Sequence, residues 1–412
     1  MAEPLSHYIT PPFGSGKTAE AAATALQYTF FHWGLHPWAI YTVVGLSLAY
    51  FQFRKNLPAL ISSAFYPLLG HRIYGPLGKT IDILAVFATV FGIATSLGLG
   101  TLQIAGGMKS MFGLANTTSV QLVIIAVLTA MYMISAATGL TRGIKLLSNL
   151  NIMLAFLLMG LLIALGPTAH IFKALISSVG SYLNNILSMS LRLEPFREDT
   201  WIAGWTLFYW AWWIAWAPFV GTFIARISRG RTIREFIIGV LVVPALGTFL
   251  WFSAFGGSAL YLAHNQGRIA LAEQAVQDVT SALFEFLQYF PFSPVLVTLS
   301  VVLIITFFVT SADSATFVLG MFTTGGNLNP DNRIKCTWGI IQAATAVVLL
   351  LSDSLTTLQT VSIAAAFPFS VIMVAMCAAL VRGLKTDAAV ALARAFGSKR
   401  SDDYAKHSDS AV

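Results

Sequence analysis

An all-α integral membrane fold is what this sequence predicts, and three observations predict it. Of 412 residues, 57% are hydrophobic and only 10% charged, with a mean hydropathy of +0.75. A soluble domain carries about 25% charged residues. Nine apolar stretches each approach or exceed the ~20 residues a helix needs to cross a bilayer. The 24 Lys and Arg gather in the connections between those stretches and in the tail. Lipid is the main solvent for this chain.

The first stretch, 34–52, ends at Arg54 and Lys55. Arg72 and Lys79 precede the second, 81–107, and Lys109 follows it. Arg142 and Lys145 separate the third, 119–139, from the fourth, 149–167. Residues 168–190 then break the pattern: His170, Lys173, Asn184 and Asn185 make them mixed, and they read as an amphipathic helix lying along the surface. The fifth stretch, 203–224, runs into a basic loop holding Arg226, Arg229, Arg231 and Arg234. The sixth is 237–263 and the seventh 294–319. Arg333 and Lys335 open the eighth, 335–352, and the ninth is 357–382. A tail, 383–412, follows, with a mixed-charge helical pattern around Asp387–Phe396.

If the N-terminus lies outside, eighteen of the basic residues fall inside. Six fall outside: Lys17, Lys109, Lys173, Arg192, Arg197 and Arg268. The bias puts the C-terminus in the cytoplasm. Residues 1–33 are polar and turn-rich and carry no basic start followed by an apolar core. They have no evident route outward, so the chain reads as one that begins late.

Several functions have no residues to support them. Cys336 and Cys377 both lie in apolar stretches, which gives neither a disulfide framework nor a thiolate metal site. The net charge of +7 is spread among short loops, so topology explains it better than nucleic acid does. Gly14-Ser-Gly-Lys-Thr18 lacks the first glycine of a phosphate loop, because Pro11 stands there. The seven histidines place no facing pair inside the spans, so neither haem, a metal centre nor an enzyme is expected.

The chemistry concentrates in one place. Six of ten tryptophans lie within sixteen residues: Trp201, Trp205, Trp210, Trp212, Trp213 and Trp216. Indole faces attract cations without hydrogen bonds, which suits a quaternary ammonium that has no N–H to donate. Trp212 and Trp216 share one helix face, with Trp213 turned about 100° away. Spacing alone leaves an aromatic belt at the membrane interface equally open.

The run Trp205-Thr-Leu-Phe-Tyr-Trp-Ala-Trp-Trp-Ile-Ala-Trp-Ala-Pro-Phe-Val-Gly221, continued to Arg234, resembles the signature of the betaine–choline–carnitine transporter (BCCT) family. His32–Tyr41, Phe91–Gly100 and Phe308–Ser314 agree with it, so the resemblance covers the chain to about residue 383. It implies an inverted five-helix-repeat (LeuT-like) transporter fold, here with about nine transmembrane helices and one amphipathic surface helix. Ala2–Tyr8 resembles the segment after the family's third span. On that reading the first three of twelve spans are absent, among them the unwound helix that offers backbone groups to substrate and cation.

The resemblance implies substrate contacts at Trp33, Trp38, Tyr41, Phe208, Trp212, Trp213 and Trp216. It implies cation contacts at Phe307, Thr310 and Ser311, where hydroxyls and carbonyls suit a hard ion. Thr89 and Phe219 match part of a second cation position, but Ile93 offers no ligand where a hydroxyl is needed. Asp313, an intramembrane carboxylate, is a functional candidate by default; the reading favours a local bond to an opened helix end. The run Ser148–Met153 lacks the Arg of sodium-independent exchangers, and the short tail gives no support for strong osmotic regulation.

The expectation is a multi-pass protein of the bacterial plasma membrane that imports an osmoprotectant such as glycine betaine or choline. Na+ or H+ drives it as a symporter, with no other cofactor, and a homotrimer surrounded by lipid is implied. Its domains are an extracytoplasmic segment (1–33), the transporter body (34–382) and a cytoplasmic tail (383–412). The alternative is a truncated, non-transporting paralogue that binds solute or assembles with membrane partners.

Overall fold

The computed structural model describes residues 2–138, 141–196 and 200–408. Arg197 and the last four residues of the tail lie outside the described residues. Among the described residues, eight helices are long and apolar enough to cross a membrane. They correspond to eight of the nine predicted stretches. The remaining stretch, 34–52, is also helical, as a separate helix that follows a break at Gly34.

A short helix, α1 (Ala2–Ile9), is buried along almost its whole length. Helix α2 (Ala19–Trp33) starts at Thr18, whose hydroxyl accepts from the Ala21 amide at 3.0 Å, with Glu20 in the first turn. That capping satisfies an amide the first turn would leave orphaned. Gly34 ends the helix, at φ −94° and ψ −125°, and α3 (Leu35–Ala49) follows and runs on into a π turn at Tyr50–Arg54. A side chain would not fit at the break. A Cβ on Gly34 would sit 2.5 Å from both the Phe30 carbonyl oxygen and the Phe249 ring.

Helix α4 (Pro76–Phe112) opens on proline, which costs no hydrogen bond in the first turn. It stops at Gly113, whose φ of 68° is the left-handed cap that glycine adopts freely. Helices α5 (Thr118–Thr138) and α6 (Thr141–Leu165) follow. Helix α7 (Thr168–Asn184) buries Ile171, Ser178 and Tyr182 on one face and exposes Phe172, Ile176 and Leu183 on the other. The outer face of this predicted amphipathic helix is therefore itself partly apolar.

Helix α8 begins with a π turn, Ala203–Leu207, and runs on as Phe208–Ile227. Pro218 sits inside it, and the Thr222 hydroxyl bonds the Pro218 carbonyl at 2.7 Å. Helix α9 (Ile233–Asn265) is interrupted by three π turns, at Ile238–Val242, Ser253–Gly257 and Tyr261–Asn265. Single π turns inside α-helices recur at functional sites. Helix α10 (Ser293–Thr323) is continuous. In α11 (Asn332–Ser408) the backbone is helical throughout and holds two apolar halves, Asn332–Ser352 and Thr356–Ala389. These are the predicted eighth and ninth spans.

Two glycines let α8 approach its neighbours closely. A Cβ on Gly221 would come within 2.6 Å of Val44 on α3, and one on Gly92 of α4 within 2.9 Å of Ala215. The Trp-rich helix is thus held between α3 and α4 at near backbone contact. That fixes which of its rings turn inward.

Candidate functional site

A cavity of about 710 Å³ opens between α1, α2, α8, α9 and α10. Its aromatic lining includes Trp33 and Trp38, Trp205, Phe208, Tyr209, Trp212 and Trp213 from α8, and Trp251 and Phe252 from α9. Glu3, Gln103, Thr248, Thr280, Ser300 and Gln359 are its polar contributors. Concave, mostly apolar and sparsely polar is the usual character of a small-molecule site.

The rings are fixed from behind. Trp33 donates its indole N–H to Glu3 Oε2 at 2.5 Å, Trp212 to Ser96 Oγ at 2.9 Å, and Trp213 to the His32 carbonyl at 2.9 Å. Trp212 and Trp213 donate to groups outside the cavity lining and Trp33 to a carboxylate within it, so every N–H is occupied and what the rings present to the cavity is their surface. Trp33 and Trp213 stand edge to face with centroids 5.0 Å apart, and Trp33 and Trp212 likewise at 6.1 Å. Phe208 stacks on Trp212 at 5.7 Å. These are packing distances between neighbours, not a gap for a guest. A cation–π contact reaches about 6 Å from a centroid, so a cation on the cavity side meets several of these faces at once.

Of the seven residues implied as substrate contacts, Trp33, Trp38, Phe208, Trp212 and Trp213 line this cavity. The other two do not. Tyr41 is buried behind the wall, edge-on to Trp213 at 5.6 Å and to Trp38 at 5.6 Å. Trp216 turns into the α4–α8 seam, where its N–H meets the Gly92 carbonyl at 2.9 Å and Ser96 Oγ at 3.0 Å. Its ring packs on Phe219 at 5.6 Å. The remaining tryptophans divide similarly: Trp205 lines the cavity, Trp201 packs on His7, and Trp210 stacks on His36.

The implied cation contacts are less assembled. Thr310 donates its hydroxyl back to its own helix, 2.9 Å from the Phe307 carbonyl and 3.1 Å from that of Thr306, and accepts from Asn151 at 3.1 Å. Phe307 is 60% exposed and Ser311 is half-buried. The Thr89 hydroxyl is bonded to the Ala85 carbonyl at 2.8 Å, and Phe219 lies with buried Ile93 in one apolar cluster. These hydroxyls show the back-bonding that is ordinary for Thr in helices.

Asp313 departs from expectation. It bonds no opened helix end, because α10 is continuous there. Instead its carboxylate accepts from Ser135 on α5 at 2.6 Å, tying two helices together. Nearby, Lys335 reaches the Ala136 carbonyl at 2.8 Å, so the α5 terminus is held from two sides.

Two histidines outside the predicted spans do come together. His7 and His32 face each other with ring centroids 5.8 Å apart, and both are fully buried. Glu3 lies between them: its Oε1 is 2.6 Å from His32 Nδ1 and 3.2 Å from His7 Nε2. His32 Nε2 meets the Thr206 hydroxyl at 2.9 Å. The three acid and imidazole atoms lie within 4.8 Å of one another, close enough for one cation. Their 2.6 and 3.2 Å separations are those of shared protons. Burial by itself would raise the Glu3 carboxyl, but the hydrogen bonds and charge of His32, then of His7, outweigh it and hold Glu3 well below the usual carboxylate range. Sequence reasoning missed this group because its members are scattered over α1, α2 and α8. The one local signal was the Glu3–His7 spacing of one helical turn.

The family model of the betaine/carnitine/choline family transporters (BCCT) matches residues 1–389. Over 389 residues the chain is 53% identical to the glycine betaine transporter OpuD of Bacillus subtilis (strain 168), covering 94% of this chain and 75% of that one. It is 46% identical over 392 residues to a probable glycine betaine transporter of Desulfitobacterium hafniense (strain Y51), covering 94% and 78%. An ectoine/hydroxyectoine transporter of Virgibacillus pantothenticus is 47% identical over 386 residues, covering 93% and 76%.

Proposed function

This chain belongs to the betaine/carnitine/choline transporter family, and from that premise we propose that it takes up a quaternary ammonium solute, glycine betaine first. Membership makes it a multi-pass membrane transporter and not an enzyme. The choice of solute is carried by one observation: three indoles, Trp33, Trp212 and Trp213, have their N–H groups bound elsewhere and leave their rings to a single cavity. Neutral faces of this kind favour a large, weakly hydrated cation over a solute that needs hydrogen bonds. Glycine betaine is named for two of the relatives above. Ectoine, named for a third, also joins a delocalised positive charge to a carboxylate.

Transport on this reading is alternating access, with the cavity between α2, α8 and α9 opening to either side of the membrane. The lysine and arginine bias supports a cytoplasmic C-terminus. Cation coupling and trimeric assembly are part of the same proposal. Phe307, Thr310 and Ser311 are the coupling-ion contacts it names, and Thr89 with Phe219 is the weaker second position. For Thr310 to serve, its hydroxyl must turn from its own helix to the ion.

The test is uptake of radiolabelled glycine betaine and choline by cells that have no other route for them. Saturable betaine uptake, driven by a sodium or proton gradient and lost when Trp33 and Trp213 are both replaced by alanine, is expected. Binding without uptake would instead identify a non-transporting paralogue. Neither uptake nor binding of any ammonium solute would overturn the proposal.

A further inference from the structure

Ring faces can hold an ammonium group, but a carboxylate on the same solute needs N–H or O–H donors. Few of the cavity's non-aromatic polar groups have one to give. Thr248, Thr280 and Ser300 each carry a single hydroxyl proton. They already donate it, to the Pro244 carbonyl at 2.9 Å, to Asp278 at 2.6 Å and to the Leu296 carbonyl at 2.8 Å. Glu3 accepts from Trp33 and lies against His7 and His32, and an ionised carboxylate has nothing to donate. Gln103 and Gln359 remain. Both are part-buried in this mostly apolar wall, and neither side-chain amide has a hydrogen-bond partner among the described residues. Each therefore keeps two N–H donors for a guest.

The two amides stand next to the rings. Helix α4 holds the Trp212 indole at Ser96, and Gln103 follows seven residues later on the same helix. That is two turns, or about 10 Å, along one face. Leu99 lines the cavity between them. Helix α11 crosses α4 beside Ser96: the Thr95 hydroxyl donates to the Leu358 carbonyl at 3.2 Å, and a Cβ on Gly98 would come within 2.7 Å of the Leu358 side chain. Gln359 is the next residue of α11. Within about two turns of α4 the wall thus passes from indole faces to two free amides.

We propose that Gln103 and Gln359 form a carboxylate subsite, so that the cavity reads a zwitterion and not an ammonium group alone. This rests on the ammonium reading above and narrows its substrate class to an ammonium joined by a short chain to a carboxylate. The rings take the cation and the amides take the anion. A hydrogen bond to an ionised oxygen is roughly twice as strong as one between neutral groups. Choline, with the same head and a hydroxyl in place of the carboxylate, therefore gains less from the amides.

The experiment uses the purified full chain in detergent, on the monodisperse fraction, and follows binding of glycine betaine and of choline by tryptophan fluorescence. Wild type is expected to prefer betaine about tenfold or more. Gln103→Leu and Gln359→Leu each weaken betaine about tenfold while choline changes by less than about threefold. Gln103→Glu sets a like charge against the solute carboxylate and turns the preference toward choline. Either position decides the matter if the variant at the other does not fold. A wild type that prefers choline overturns the amide subsite and leaves the ammonium reading standing. So do leucine variants that keep the full betaine preference or lose both ligands equally. A wild type that binds neither compound overturns the ammonium reading first.

Discussion

The aromatic cavity and the hydroxyl positions of α4 and α10 are both read as binding regions, but only the first is already built. Trp33, Trp212 and Trp213 spend their N–H groups on Glu3, Ser96 and the His32 carbonyl, and what they offer a ligand is the surface left over. Thr310 and Thr89 spend their hydroxyls on their own helices, and the hydroxyl is what a hard cation needs. A ring face binds while its polar atom is occupied; a hydroxyl must be released first. On the proposed reading, the ring faces need no rearrangement to meet a solute, whereas the hydroxyls must first leave their own helices to meet an ion.

The heaviest blow to this contrast comes from the rings. Replacing Trp33 and Trp213 together by alanine removes two cation–π partners worth about 0.5–2 kcal/mol each. Betaine affinity is expected to fall about a hundredfold by calorimetry. A loss under threefold would mean that the solute sits elsewhere.

Next is the interlock that aims the rings. Gly221→Ala forces a methyl against Val44 and the Gly45 backbone, which overpacks the α3–α8 contact at a cost of about 1–3 kcal/mol. A lowered thermal midpoint, with partial relief when Val44→Ala is added, is the expected outcome. An unchanged midpoint would show that α3 and α8 separate freely.

Smaller effects separate the two faces of α8. Trp212→Phe keeps an aromatic face but a weaker one and loses the Ser96 bond, so betaine binding weakens by a factor of about 3. Trp216→Phe leaves affinity unchanged, because that ring lies in the seam and not on the cavity. Equal losses at both positions would erase the distinction the structure draws between them.

The hydroxyls come last. Thr310→Val removes a single oxygen ligand, worth about 0.5–1.5 kcal/mol by analogy with a hydrogen bond. The sodium concentration for half-maximal uptake rises about three- to tenfold while betaine affinity at saturating sodium holds. Thr89→Val changes neither by more than about twofold, since its hydroxyl serves Ala85 and Ile93, one turn on in the same helix, offers no ligand. A large effect of Thr89→Val would restore the second ion position.

What could be read in advance follows from the range of each interaction. Hydrophobic runs are local, so eight helices are recognisable from composition and length alone. The tryptophan run is local too, and its density identified the helix that forms the cavity wall. Which rings turn inward was not legible for Tyr41 and Trp216, because that depends on the contacts at Gly92 and Gly221. Helix α2 lies just before the first predicted span and was not read as one, since its apolar pattern is interrupted at Gln27 and His32 while the helix is not. The Glu3 cluster was invisible for a different reason. His32 meets Glu3 across 29 positions and Thr206 across 174. A polar residue buried by distant partners looks, in sequence, like a polar residue in a loop. Asp313 was misread likewise, because its partner Ser135 lies 178 positions away.

On the proposed reading, it is the ring faces in this cavity that hold the cation. Site-specific replacement of Trp213 by its mono-, di- and trifluorinated forms tests it most directly, because each fluorine drains the face while barely changing the shape. The logarithm of betaine affinity is expected to fall steadily with each added fluorine. Affinity that stays flat across the series would contradict it.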